Sequence, residues 1–378
     1  MSSHRETPRP FRYDAEVDPG EKRHIDYPIG ETYLGKPIEI PVTIINGEHP
    51  GPRLYLSAAV HGDEVNGVKV MQEVADRYEP ADLHGTIVCV HVVNVPGYIA
   101  QQRYLPIYDQ DLNRAFPGTS GGSTASRMAK VLYDRFISKC DFGLDFHTST
   151  RNRMTVFHGR ADMDDEGARE LVEAAGIPLV LSGAGAPKMM RRIATEDGTP
   201  IVTVEMGEAN RFQPLLIDLG IQAVENVLAA YDMYPDAKPI YPPFRKVLTT
   251  GDEKRWIRAS HGGLVEMKWG PYPIVDEGET ICVISDHFER EEHVVEAPFD
   301  GFLAGILANP RVLPGHPIVH LVAVTDDDRE AIQSVADRVG FTRHGTFHWM
   351  GRMGAGLLDE SRGRAIEADG GGGAPEDR

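Results

Sequence analysis

The sequence predicts an α/β fold, a mostly parallel or mixed sheet flanked by helices, followed by a smaller C-terminal all-β domain. Two observations carry this expectation. Between 37 and 240, short apolar runs alternate with stretches of helical spacing. From 241 to 326, helical spacing gives way to short strands and turns. The length, 378 residues, suits one large unit plus a smaller one.

The elements follow in order. Residues 1–36 read as a loosely structured lead-in. "KPIEIPVTIING" (36–47) alternates as a strand does and closes on the turn "NGEHPGP". "RLYLSAAV" (53–60) is a continuous apolar run, the pattern of a strand buried on both faces. Helical spacing returns in "VKVMQEVADRY" (68–78), and "HGTIVCVHVVN" (84–94) is a second buried strand. A helix over 124–138, a strand over 140–148, a helix over 165–176, a strand over 200–208 and a long helix over 216–234 complete the first domain, 37–240. "PDAKPIYPP" (235–243) reads as a linker. The β domain spans 241–326. One helix is expected over 327–341, and the Gly-rich end of 327–378 reads as a disordered tail.

Composition narrows the class. The chain is 41% hydrophobic and 25% charged, ordinary for a globular protein. No apolar run is long enough to span a membrane. The polar start "MSSHRETPRPFRYDAEVDPGEKRH" lacks a signal core, which points to the cytoplasm. The three cysteines, Cys89, Cys140 and Cys282, are far apart and read as reduced core residues. A net charge of −18 argues against nucleic acid as a partner. It also means that an anionic substrate needs local arginines to overcome the overall field.

One stretch breaks the apolar pattern abruptly. "SAAVHGDEVNG" (57–67) ends a strand with His61 and Glu64, three residues apart. Zn²⁺ accepts imidazole nitrogen and carboxylate oxygen, and a catalytic site needs three protein ligands with one position open. The third ligand is expected at the end of another strand, where "GLDFHTST" places His147. Asp145 precedes it by two, on the same strand face, and either orients an imidazole or finishes the strand. A general base is still required. "PIVTVEMGE" puts Glu205 in an otherwise apolar strand, where a lone carboxylate is costly unless paired or functional. Glu208 is the rival, after the Gly207 turn. "YDQDLNRAFPG" (108–118) sets Asn113 beside Arg114, suited to gripping a substrate carboxylate. Arg103 is a candidate for the substrate or for a developing oxyanion.

H-x-x-E, D-L-N-R-x-F-P-G, a strand-end His and a later E-x-G strand, in this order, resemble the succinylglutamate desuccinylase/aspartoacylase family, related to the zinc carboxypeptidases. The resemblance covers roughly residues 27–325, including the C-terminal β domain. It implies a zinc carboxypeptidase-like fold, one Zn²⁺ per chain on His61, Glu64 and His147, Glu205 as general base, and Asn113 and Arg114 on the substrate carboxylate. Arg103 resembles the oxyanion-stabilising arginine, with a slightly longer spacing to Asn113. A second substrate arginine shortly before the base falls on Arg191 or Arg192 in "KMMRRIATEDG", with Arg192 taken as the candidate. The implied activity is hydrolysis of the amide of a small anionic N-acyl amino acid. A metallocarboxypeptidase and a non-catalytic zinc scaffold are the alternatives, and homo-oligomerisation is left open.

His84, His158, His261, His316 and His320 have no ligand-like spacing and are given no role. His91, inside "VCVHVVN", reads as a core histidine. The hairpin pattern of 294–323 resembles a lipoyl-like barrel, but the stretch has no Lys to carry a swinging arm. A structural or access-limiting role is expected instead.

Overall fold

The computed structural model describes residues 7–330, apart from 107, 151, 243–244, 249–253 and 269–273. A short hairpin, β1 (Phe11–Arg12) and β2 (Glu16–Val17), leads into β3 (Glu21–Glu31), β4 (Pro37–Asn46) and β5 (His49–Ala58). Then come α1 (Asn66–Arg77), β6 (His84–Val90), α2 (Val95–Ile99), α3 (Thr124–Arg135), β7 (Phe142–Ser149) and β8 (Arg153–Ala161). They are followed by α4 (Glu166–Ala175), β9 (Leu179–Ser182), α5 (Met190–Glu196), β10 (Ile201–Glu208) and α6 (Pro214–Ala230). The C-terminal region is built of strands, with helix beginning only at 326: β11 (Lys246–Leu248), β12 (Lys254–Arg258), β13 (Gly263–Met267), β14 (Ile274–Val275) and β15 (Thr280–Ser285). It ends with β16 (Glu292–Glu296), β17 (Gly301–Leu307), β18 (Arg311–Val312) and β19 (Pro317–Ala323).

The main sheet runs β12-β19-β17-β8-β10-β7-β5-β6-β4-β3. At its centre β10, β7, β5 and β6 are parallel, and the flanking strands are antiparallel. Period-two alternation decides which side chain goes to which face. Leu54, Leu56 and Ala58 of β5, Leu144 and Phe146 of β7, and Val202, Val204 and Met206 of β10 pack with residues of α1, α4 and α6. Tyr55 and Ile201 turn the other way, into a second core with Met128 and Leu132 of α3 and Met190 and Ala194 of α5. Ser57, Asp145, His147, Thr203 and Glu205 have the parity of that second face. The α3/α5 face therefore holds the polar residues.

Two expectations change. The lead-in assigned to 1–36 contains β3, an edge strand paired with β4 over Glu21–Glu31. Its inward residues are few, Tyr27 and Ile29, and its charged outer residues are what a guarded edge needs, so it looks too polar for a strand. The expected boundary at 240/241 does not separate two sheets. β11 pairs in parallel with β9, and β17 pairs with β8 through Gly305–Thr155, Ile306–Met154 and Leu307–Arg153. β13, β15, β16 and β18 form a separate four-stranded antiparallel sheet. A strand's own pattern does not say which strand it will join. The helix expected over 327–341 extends beyond the described residues, and the Gly-rich end lies outside them altogether.

Candidate metal centre and active site

His61, Glu64 and His147 come together at the carboxyl ends of β5 and β7, adjacent parallel strands where ligand sites of α/β sheets gather. One ligand atom from each lies within 4.8 Å of the others, and all three residues are buried. The loop His61–Val65 turns tightly, with the Glu64 N–H donating to the His61 carbonyl at 3.1 Å. Gly62 permits this. A Cβ there would lie 2.1 Å from the Gly97 carbonyl carbon in α2. Glu64 accepts from Arg103 Nη1 (2.7 Å) and the Thr148 N–H (3.1 Å), and its Oε2 lies 2.8 Å from His147 Nδ1.

The donor set fits a divalent ion. His61 Nδ1 lies 2.9 Å from Glu64 Oε1, yet both His61 nitrogens are buried with no partner in hydrogen-bond geometry. A buried imidazole with both nitrogens unsatisfied, beside a carboxylate, is a donor set that a divalent ion would satisfy. Burial opposes the charged form of Glu64, but the charges of His61 and His147 hold its carboxyl well below the usual range. For His147, burial opposes protonation, but Asp145 and Glu64 push the imidazole well above its ordinary value.

Asp145 orients His147. Its Oδ2 lies 2.7 Å from His147 Nε2, and its Oδ1 accepts from Ser57 Oγ at 2.7 Å. This leaves Nδ1 turned to Glu64 and the cluster, the arrangement that fixes a ligating histidine. Asp111, quoted within the D-L-N-R stretch but given no role there, places Oδ1 3.4 Å from His61 Nε2 and accepts from the Asn113 N–H. Burial raises the Asp111 carboxyl, while His61 and the nearby arginines bring it below its ordinary value.

On β10, Glu205 is in register with His147 of β7 and with His158 of β8. Its Oε1 lies 3.1 Å from Arg160 Nε. The ladder then bulges between Glu205 and Gly207, where φ is +82°, a conformation that glycine tolerates. Asn66, the first residue of α1, donates to the Met206 carbonyl and to Gln213 Oε1. Gln213 Oε1 also accepts from the Glu208 N–H, so the metal loop and the base strand are tied together. Glu208 lies beyond the bulge and pairs with Arg211 at 3.0 Å.

The other predicted residues divide. The Arg103 carbonyl accepts from the Gly62 N–H and from Asn94 Nδ2, which holds the arginine over Glu64. Asn113 is buried and accepts from the Met190 N–H at 2.9 Å, joining its loop to the start of α5. Arg114 is exposed, with Nη1 on the Asn113 carbonyl. Arg192 does not turn inward. It pairs with Glu196 one turn on, at 2.7 Å. Arg191 is the buried member of the pair, with Nη1 on the Gly183 carbonyl and Nε unpartnered. Burial, then the charge of Arg160, lowers its guanidinium to about 10, against the pull of Glu205 and Asp145. His158 has no ligand-like spacing and Arg160 falls in no motif, and β8, "RMTVFHGRA", lacks a regular pattern that would single either out. Asp63 is buried, and burial followed by the Glu64 charge raises its carboxyl.

A mixed α/β sheet thus carries a His-Glu-His cluster that could hold a metal ion at adjacent strand ends, with a carboxylate in register beside it. Residues 50–231 match the family model described as the succinylglutamate desuccinylase/aspartoacylase catalytic domain. The chain is similar to the N-alpha-acetyl-L-2,4-diaminobutyric acid deacetylase of Halomonas elongata, 27% identical over 318 residues, 79% of this chain and 90% of that protein. Among solved structures, the product-bound ectoine utilization protein EutE (DoeB) from Ruegeria pomeroyi matches with TM-score 0.73 and 21% identity, covering 85% of this chain and 100% of that one. A succinylglutamate desuccinylase/aspartoacylase from Rhodobacter sphaeroides matches with TM-score 0.71 and 21% identity, covering 84% and 100%. These two likenesses are of fold. Among the described residues, no helix is long and apolar enough to cross a membrane.

Proposed function

We propose that the protein is a zinc-dependent deacylase that hydrolyses the amide of a small N-acyl amino acid. The observation that carries this reading is the gathering of His61, Glu64 and His147 at two strand ends, with Glu205 in register with His147 on the next strand. The three ligands would hold one zinc ion, which supplies Lewis-acid polarisation of water and of the acyl carbonyl.

The chain's own groups do the rest. Glu205 takes the proton of the attacking water and returns it to the leaving nitrogen. Arg103, the cation over Glu64, stabilises the oxyanion. Arg114 and the buried Arg191 take the substrate carboxylate, with Asn113 setting their loop against α5. Arg191 replaces Arg192 in this role because Arg192 is engaged with Glu196.

Glu205→Gln tests the assignment. Zinc content should be unchanged while kcat falls about 10²- to 10⁴-fold, the usual contribution of a general base. Full turnover of N-acyl amino acids by this variant would remove Glu205 from the chemistry.

A further inference from the structure

Glu205 meets a cation on the neighbouring strand. Its side chain is 17% exposed, and its Oε1 lies 3.1 Å from Arg160 Nε. Among the described residues, Glu205 has no other ion-pair partner. The register of β8 against β10 supplies the contact. His158 lies opposite Glu205, and Arg160 lies opposite Thr203, the next residue along the same face. A long side chain reaches a diagonal neighbour of this kind. Gly159, between them, belongs to the other face, where a Cβ would meet Ile177 Cδ1 at 3.2 Å.

The other basic groups nearby do not do the same work. His158 Nδ1 lies 3.0 Å from the Val156 carbonyl, which can only accept, so Nδ1 carries the proton. Burial, and then the charge of Arg160, hold this imidazole well below its ordinary value, so it is neutral. The same two causes lower His320 to about 4. Arg191 feels the charge of Glu205, but its Nη1 is on the Gly183 carbonyl. The Arg160 contact is one of charge, since its buried Nε is out of hydrogen-bond geometry with Oε1. It engages one carboxylate oxygen and leaves Oε2 for proton transfer. A glutamate side chain turns about several bonds, and a base works only within reach of the proton that it takes.

We propose that Arg160 is the positioning residue of the general base, holding Oε1 of Glu205 so that Oε2 is presented to the reacting water and then to the leaving nitrogen. This rests on the deacylase reading. Arg160 acts through Glu205 and touches no reacting atom. A partly exposed ion pair adds little to stability, so a merely structural Arg160 predicts little change in turnover.

The test compares zinc-loaded, full-length wild type with Arg160→Gln, Arg160→Lys, Glu205→Gln and the double variant carrying Arg160→Gln and Glu205→Gln. The substrate is whichever member of a panel of N-acetyl amino acids wild type turns over fastest. Rates are expressed per bound zinc, which cancels any loss of folded or loaded protein. In Arg160→Gln, kcat should fall about 10- to 100-fold with KM unchanged, as for a misplaced group felt only in the transition state. Arg160→Lys keeps the charge and should lose less. Added to Glu205→Gln, Arg160→Gln should cost nothing further, because the group that it positions is gone. Full kcat in Arg160→Gln, a loss confined to KM, an Arg160→Lys no better than Arg160→Gln, or an equal loss with and without Glu205 overturns the proposal. Crystal structures of zinc-loaded wild type and Arg160→Gln separate this inference from the reading beneath it. Glu205 should hold a single orientation in wild type and leave it in the variant. If wild type hydrolyses no amide of the panel but Glu205 still turns in the variant, the deacylase reading fails and Arg160 keeps its hold on Glu205. An unmoved Glu205 overturns the proposal.

Discussion

Asp145 and His147 share one face of β7, and the carboxylate reaches one imidazole nitrogen while Glu64 faces the other. An Asp145→Asn substitution keeps the size of the side chain but loses the charge that fixes the ring. Zinc affinity, measured by competition with a chromogenic chelator, should drop about 10- to 100-fold. Undiminished affinity would mean that Asp145 serves only its bond to Ser57. The sequence shows the principal residues because each is the wrong kind of side chain for its place. His61, His147 and Glu205 interrupt apolar strands, so chemistry is the natural reason for them. Neighbours of the same type are harder to tell apart. Arg191 and Arg192 are adjacent on a seven-residue helix, too short for a periodicity that would say which one faces inward.

At the scale of elements, the edge of the sheet carries a polar row across three strands. His24 Nδ1 and His91 Nε2 each lie 2.8 Å from Thr43 Oγ1, linking β3, β4 and the end of β6. Burial, and then the charge of His24, lowers the His91 imidazole to about 4. Its folded-state value thus lies below the ordinary value of about 6.5, and protons bind the unfolded chain more readily. Stability should be level above pH 6.5 and fall as the pH drops toward 4, with a slope from this one group of at most about 1.4 kcal/mol per unit. Denaturant unfolding of wild type and His91→Gln between pH 7 and 4.5 measures it. The gap between the two should close on acidification, and parallel curves would exclude His91 as a source of the slope. Strands buried on both faces, such as those that deliver the metal ligands, are legible as apolar runs. β3 and β8 are not. One has a charged outer face, and the other carries Arg153, His158 and Arg160 among its apolar residues.

At the scale of the whole molecule, the C-terminal strands extend the sheet that carries the site. The segment after β17 brings Ala308, Asn309, Pro310 and Arg311 to the wall of the cleft that holds Asp63 and Arg103. The wall of this cleft is thus built in part by residues more than two hundred positions away in sequence from His61. The change of pattern after 240 is visible in the chain, but the hydrogen bonds that carry β17 onto β8 depend on pairing between distant segments. Four arginines, Arg103, Arg114, Arg160 and Arg191, lie near the site in a chain whose net charge is −18. Arg103 and Arg160 are paired with Glu64 and Glu205, so under the proposed function Arg114 and Arg191 are the cations left to meet a substrate carboxylate.

The central claim is that His61, Glu64 and His147 hold one divalent ion. Elemental analysis of zinc in the purified, reconstituted chain tests it most directly, with wild type, His147→Ala and Glu205→Gln compared side by side. The account predicts one zinc per chain in wild type and in Glu205→Gln, and its loss from His147→Ala. A full complement of zinc in His147→Ala, or none in wild type, would contradict it.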